Sequence, residues 1–279
     1  MHRLVLVAGR PSHAPGFHEF RAGARLLARC LADVPDLEVQ VEEEGRMPGM
    51  SPSDVAAVVI FSDGGPTHPL LEGDRLTQLG ALARAGVGIG LMHYALEAPV
   101  GHGASELNAW IGGHYEDGVS CNPIWGATFE WLPRHPVTRG VRPFATTDEW
   151  YLNIVFGGRS SGDAAAAGNS ASVTPILVAI PSDEVRAGPY IWPAGPYPHV
   201  VAAAGRPEVL MWAVERPDGG RGFGLTGGHT HANWSHDDFR RVVLNALVWV
   251  TGAEVPETGV TSTVTAADLD LDLDGPSMS

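Results

Sequence analysis

The chain has 279 residues, 44% hydrophobic and 18% charged, the composition of a globular protein with a core large enough to need no covalent staples. Its formal net charge is −14, and the stretch from Gly252 to Ser279 holds six carboxylates and no Lys or Arg, which leaves −8 on the rest. An acidic body argues against nucleic acid and membrane surfaces as partners, and the two cysteines, Cys30 and Cys121, fit neither a zinc knuckle nor a disulfide framework.

The first apolar run, Leu4 to Ala8, is too short for a signal segment and gives way to the Gly/Pro loop Gly9 to Gly16, so it predicts a buried strand. No stretch approaches the ~18 apolar residues of a membrane span, and the cytoplasm is the expected location. A helix is predicted from near Phe17, with Phe20, Ala24, Leu27, Ala28 and Leu31 on one face. Leu37 to Val41 and Val55 to Phe61 follow as strands, the second ending at Ser62-Asp63-Gly64-Gly65. Leu70 to Ala85 reads as a helix closed by Gly86, and Val87 to Met92 as a strand running into His93-Tyr94. This alternation predicts an α/β fold, a doubly wound, mainly parallel sheet whose ligands gather at the carboxyl ends of the strands.

Beyond Trp110 the rhythm weakens. Pro123 to Trp131 and Thr146 to Phe156 read as antiparallel or edge strands of a β-rich excursion, Gly157 to Ser172 as a flexible loop, and Val173 to Ile180 as a strand. Residues 181 to 207 read as a long loop. Glu208 to Glu215 and Gly222 to Thr226 flank a turn-rich Arg216-Pro217-Asp218-Gly219-Gly220 and predict a hairpin, and Asp237 to Val250 a last amphipathic helix. The division expected is one domain over 1–255 and an acidic, flexible tail over 256–279, disordered or loosely docked.

Histidine carries most of the chemical signal. His13, His93 and His229 each fall at or just past a strand end, whereas isolated loop histidines such as His2, His68, His102, His135, His199 and His236 are ordinarily capping or solvated residues. The trio should converge, with Asp63 or Glu97 beside it and Glu149, Trp150, His18 or Trp234 forming a wall. Glu19, Tyr94 and His231 join His18, Glu149, Trp150 and Trp234 as candidate substrate contacts. Three imidazoles with a carboxylate suit a divalent transition metal such as zinc, and equally a metal-free acid–base pair; the spacing does not decide. Where a nucleophile elbow would sit, Gly90-Leu91-Met92-His93-Tyr94 offers neither Ser nor Cys. Neither Gly64-Gly65 nor Gly227-Gly228 completes a phosphate-binding loop, so no nucleotide or flavin is expected.

Several of these stretches together resemble the ThuA-like, trehalose-utilisation family: Val7-Ala8-Gly9-Arg10-Pro11-Ser12-His13 with His18-Glu19, Val58 to Gly65 with His68, Gly90 to Glu97, Trp110 to Gly113, His135 to Gly140, Asp148-Glu149-Trp150-Tyr151, and Gly227-Gly228-His229 with His231 and Trp234. The resemblance implies a flavodoxin-like scaffold of the class I glutamine amidotransferase type, with His93-Tyr94 where an amidotransferase needs its cysteine. It implies a role in sugar catabolism, with 3-keto-disaccharides as candidate substrates. Two functions follow as expectations: an enzyme on a keto-sugar using histidine or metal-assisted chemistry, or a non-catalytic sugar-binding or regulatory module. A small sugar is the expected ligand, and a homo-oligomer is left open.

Overall fold

The structure is a computed structural model that describes residues 1–98, 101–157, 159–160 and 173–274. Apolar runs with no polar alternation must be covered on both faces, and such runs form the centre of the molecule. Strand β1 (His2–Ala8) lies between β2 (Leu37–Glu42) and β3 (Ala57–Phe61), and β3 pairs with β4 (Gly88–Met92), every pairing parallel. Alternate residues point to opposite faces. Leu4, Leu6, Ala57 and Val59 pack under α1 (Phe20–Cys30) and the late helix Asp237–Val250, while Val5, Val7, Val58, Ile60, Ile89 and Leu91 pack under α2 (Arg75–Arg84) and α3 (Ala104–Ile111). Each such fully buried aliphatic side chain contributes about 1.5–3 kcal/mol relative to exposure.

The chain then leaves the sheet. Strand β5 (Gly113–His114) pairs with β8 (Val155–Phe156), which pairs with β9 (Arg159–Ser160), and between them β6 (Ile124–Phe129) and β7 (Phe144–Glu149) form an antiparallel ribbon. The expected strand Thr146 to Phe156 is thus two strands. Its central residues Trp150 to Ile154 are buried without alternation, and Asn153 takes a left-handed φ of 59° that turns the chain inward. Apart from Gly157 and β9, the expected flexible loop up to Ser172 lies outside the described residues.

The chain returns through β10 (Val173–Ala179), two short helices α4 (Asp183–Ala187) and α5 (Pro198–Val201) where one long loop was expected, and the hairpin β11 (Glu208–Glu215) and β12 (Arg221–Leu225). The main sheet is ordered β10-β11-β12-β4-β3-β1-β2, with β12 parallel to β4 and the outer pair antiparallel. Helix α6 (Asp237–Val250) closes the second face, and His236 caps it by accepting from Phe239 N. The expected helix Leu70 to Ala85 begins only at Arg75, after a 3₁₀ turn over Pro69–Leu71 and Gly73 at φ 61°. Helix α3 had no counterpart among the expected elements.

The acidic segment after Pro256, expected to be loose, lies across α1. It forms the short α7 (Ala266–Leu269), and Arg21, Arg25 and Arg29, one turn apart on α1, bond to its backbone and to Asp272. Residues 275–279 lie outside the described residues. Among the described residues no helix is long and apolar enough to cross a membrane.

Candidate functional site

Four loops meet at the carboxyl ends of β1, β3, β4 and β12. Glycine permits the closest approach, since a Cβ on Gly64 would lie 2.1 Å from the carbonyl oxygen of Tyr94. The loop after β1 pairs briefly with the loop after β12, through a bridge between Phe17 and Thr230 and a bond from His18 N to His229 O of 3.0 Å. His93 is the first residue past β4 and His18 lies just before α1, and both hold left-handed backbone angles, φ 56° and 51°. Non-glycine residues adopt that region at a cost of roughly 1–2 kcal/mol, which the surrounding contacts must offset.

These loops bring His18, His93, His229 and Glu149 together, the last arriving from the end of β7. All four are buried, and one donor atom from each lies within 4.8 Å of the others. His18 Nε2 is 2.8 Å from His229 Nδ1 and 3.2 Å from His93 Nε2; Glu149 Oε2 is 2.6 Å from His229 Nδ1 and 3.9 Å from His93 Nε2. His93 Nδ1 donates to Thr226 O at 2.7 Å, so its Nε2 presents a lone pair to the cluster, and its ring stacks on Tyr151. Burial holds His93 well below its ordinary pKa, with His18 adding to the effect, and burial together with His13 and His229 lowers His18 to about 2. Both imidazoles are therefore neutral.

One short contact of this cluster, His18 Nε2 to His229 Nδ1, is left without a proton once the others are paired. A neutral imidazole nitrogen has one in-plane site, filled by a proton or by a lone pair. His93 Nε2 offers a lone pair, and one proton on His229 Nδ1 cannot serve both Glu149 and His18. A divalent cation resolves this, because donors around a tetrahedral zinc lie about 3.4 Å apart and the observed separations straddle that value. The outer contacts are also those of a metal site. Besides Thr226 O on His93, Asn122 Nδ2 donates to Glu149 Oε1 at 2.8 Å, and His18 Nδ1, buried with no hydrogen bond, faces Asp63 Oδ1 at 3.7 Å. The residues present thus form a plausible chelating set for a divalent cation.

His13 sits one ring farther out. It is stacked on His18 with centroids 3.6 Å apart, its Nδ1 bonds to Ser12 Oγ at 2.7 Å, and Ser12 Oγ donates to Asp63 Oδ1 at 2.9 Å. Burial lowers the His13 pKa against the pull of Asp63, and burial raises Asp63 against its bond from Ser12. Phe17, 41% exposed, lies 4.7 Å from the His229 ring at the mouth. Tyr94 faces His18 and His13, with burial and Glu97 pushing its phenol up to about 12. Glu97 lies beside Gly65 and away from the imidazoles; burial and Asp117 raise its pKa to about 7.

The other expected contacts stand behind the site. Trp150 and Trp234 are core residues, the first against Gly227 and Phe239, the second stacked on Phe239. Glu19 and His231 bond to the acidic segment, at Asp274 N and Leu269 O. His68, His135 and His236 each accept from a backbone N–H two or three residues on, as capping residues do. Two residues at the site were not among the expected contacts. Asp148, fully buried, accepts from the backbone N–H groups of Glu149, Gly228 and Thr230 at 2.8 to 3.0 Å and so joins β7 to the His229 loop. Asn122 reaches Glu149 from the segment before β6.

Residues 14–250 match the family ThuA, described as trehalose utilisation. Among solved structures, the chain is similar to a putative ThuA-like protein from Bacteroides uniformis, at 13% identity and a TM-score of 0.58 over 89% of this chain and 91% of that one. It is likewise similar to a putative ThuA-like protein from Parabacteroides merdae, at 16% identity and a TM-score of 0.57 over 95% and 93% of the two chains. No curated protein matches the chain at a significant level.

Proposed function

The chain belongs to the ThuA family, described as trehalose utilisation, and on that premise we propose that it is an enzyme acting on a keto-sugar or disaccharide derivative with a divalent transition metal, zinc foremost, at its rim. The observation that carries this is the convergence of His18, His93, His229 and Glu149 on one point, buried and short of protons. Three imidazoles and a carboxylate are a donor set for zinc. When bound, the cation would polarise a sugar carbonyl and so acidify the neighbouring C–H.

The protein's own groups do the rest. His93 and His229, with His18 between them, hold the donors in place. The outer pair His13 and Asp63, joined through Ser12, handles the proton: a neutral His13 takes it from the carbon next to the carbonyl and can return it to a departing glycosidic oxygen. Phe17 offers an apolar face to the C–H side of a sugar ring at the mouth, and Tyr94 a hydroxyl to its polar edge.

The test is to measure the bound metal of the purified protein and then to incubate it with 3-ketotrehalose and with trehalose, following products by mass spectrometry. Turnover of the keto-sugar alone, lost on chelation and restored by zinc, is expected. A protein that takes up no divalent metal and turns over the keto-sugar unaffected by chelators would overturn the metal assignment. No turnover by a zinc-loaded protein would overturn the reaction.

A further inference from the structure

The acidic segment, residues 256–274, touches no donor atom of the metal cluster, yet it ends on both loops that carry His18 and His229. Glu19 is the junction. Its buried carboxylate accepts from Gly16 N at 2.9 Å through one oxygen and from Asp274 N at 2.7 Å through the other. The second loop is gripped at His231, whose Nε2 donates to Leu269 O at 3.1 Å and whose backbone N–H donates to Gly16 O at 3.0 Å. His18 is the residue before Glu19, and His229 lies two before His231. The two loops are already paired through His18 N and His229 O.

The hold on α1 is electrostatic. Arg25 and Arg29 share the Asp272 carboxylate, and Arg21 donates to the carbonyls of Asp272 and Leu273 at 3.1 and 2.8 Å and faces Asp274 Oδ1 at 3.3 Å. Arginines four residues apart stand on one face of a helix, and the alternating carboxylates of the segment match that stripe in sign.

We infer that this acidic segment is a strap that positions the two histidine loops, so that its docking on the α1 arginines and metal binding at His18 and His229 support each other. The metal half of this inference rests on the reading given above; the positioning half does not. Two variants test it: a chain stopped after Val264, and Glu19→Gln, which keeps the segment and its arginine contacts but cannot accept at both ends of residue 19.

Hydrogen exchange of the metal-free proteins reads the positioning, and competition for zinc against a chromophoric chelator reads the affinity. Expected in both variants is exchange at least ~10-fold faster in residues 14–19 and 228–231, with β3 and β4 unchanged. Zinc affinity should fall by about 10- to 100-fold, the size seen when outer contacts of a metal site are lost. By linkage, zinc should slow proteolysis of the segment in the intact protein, and high salt should cancel that protection. Exchange within ~2-fold of the intact chain in both loops, or exchange raised equally in β3 and β4, would overturn the strap. Should the intact protein take up no zinc, the metal reading fails, and exchange in Glu19→Gln decides the strap alone.

Discussion

Replacing Asp148 with Ala tests how the site is assembled. The carboxylate is fully buried and is the acceptor for three backbone N–H groups, those of Glu149, Gly228 and Thr230. Alanine leaves all three buried donors without their partner. Each unsatisfied buried group costs about 1–3 kcal/mol, and water entering the vacated space recovers part of it, so the expected loss is about 3–5 kcal/mol. That is a large share of the ~5–15 kcal/mol by which a domain is stable. Asp148→Asn keeps one acceptor oxygen and the shape, and it no longer buries a charge, so its loss should be less than half as large. Urea unfolding followed by tryptophan fluorescence gives both numbers from the shift in midpoint at constant slope. Because the same bonds fix the loop carrying His229 against Glu149, zinc affinity should fall at least ~10-fold in the Ala variant. A loss below about 1 kcal/mol would refute the accounting, and a full loss of stability with zinc affinity intact would refute the claim that Asp148 positions the metal ligands.

Three further outcomes follow. His93→Ala should remove zinc and turnover together, whereas His13→Ala, outside the four donors, should keep zinc and lose kcat by about 10²–10⁴-fold; metal analysis beside kinetics separates them. Glu97 has its folded pKa raised from 4.5 to about 7, so it stabilises the fold below pH 4.5 relative to higher pH, and that contribution is lost as pH rises through about 7; Glu97→Gln should therefore match the wild type at pH 4 and exceed it in denaturant midpoint at pH 8, and an equal gain at both would contradict the shift. Burial pushes the Cys121 thiol up to about 12, so it holds no thiolate at neutral pH, and Cys121→Ser should leave turnover unchanged; a large loss would reveal a nucleophile where this reading places none.

The parallel centre of the fold was legible because its physics is local. Leu4 to Ala8, Val55 to Phe61 and Val87 to Met92 are apolar at every position, so each needs cover on both faces, and the helices supply it. The excursion was less legible for the opposite reason. Trp150 to Ile154 are buried in succession through a turn, which reads as a continuous strand until the left-handed Asn153 is seen. The docking of the acidic segment is not legible from its own carboxylates. Their partners are Arg21, Arg25 and Arg29, more than 240 residues away in sequence, a spacing visible on α1 but meaningless until the segment is laid across it.

The same distinction orders the site. That histidines past β4 and β12 would share a rim follows from strand direction, and His93 and His229 do so. Which histidine of the first loop stands between them does not follow, because it depends on backbone angles that no spacing reveals. His13 and His18 lie on the same loop, and the closer one to the strand end is the natural choice. The chain instead turns at His18, whose φ of 51° aims Nε2 at His93 and His229, and it leaves His13 stacked on the outer face of that ring. The carboxylate of the cluster is equally nonlocal. Asp63 and Glu97 follow the strands that carry the site, yet the oxygen nearest the imidazoles belongs to Glu149, delivered by an antiparallel ribbon outside the main sheet and held by Asn122 and by the neighbouring Asp148. Loops of the sheet thus supply the imidazoles, and the excursion supplies the carboxylate that stands beside them. A change in the ribbon should therefore alter metal chemistry without touching a single residue of the parallel core.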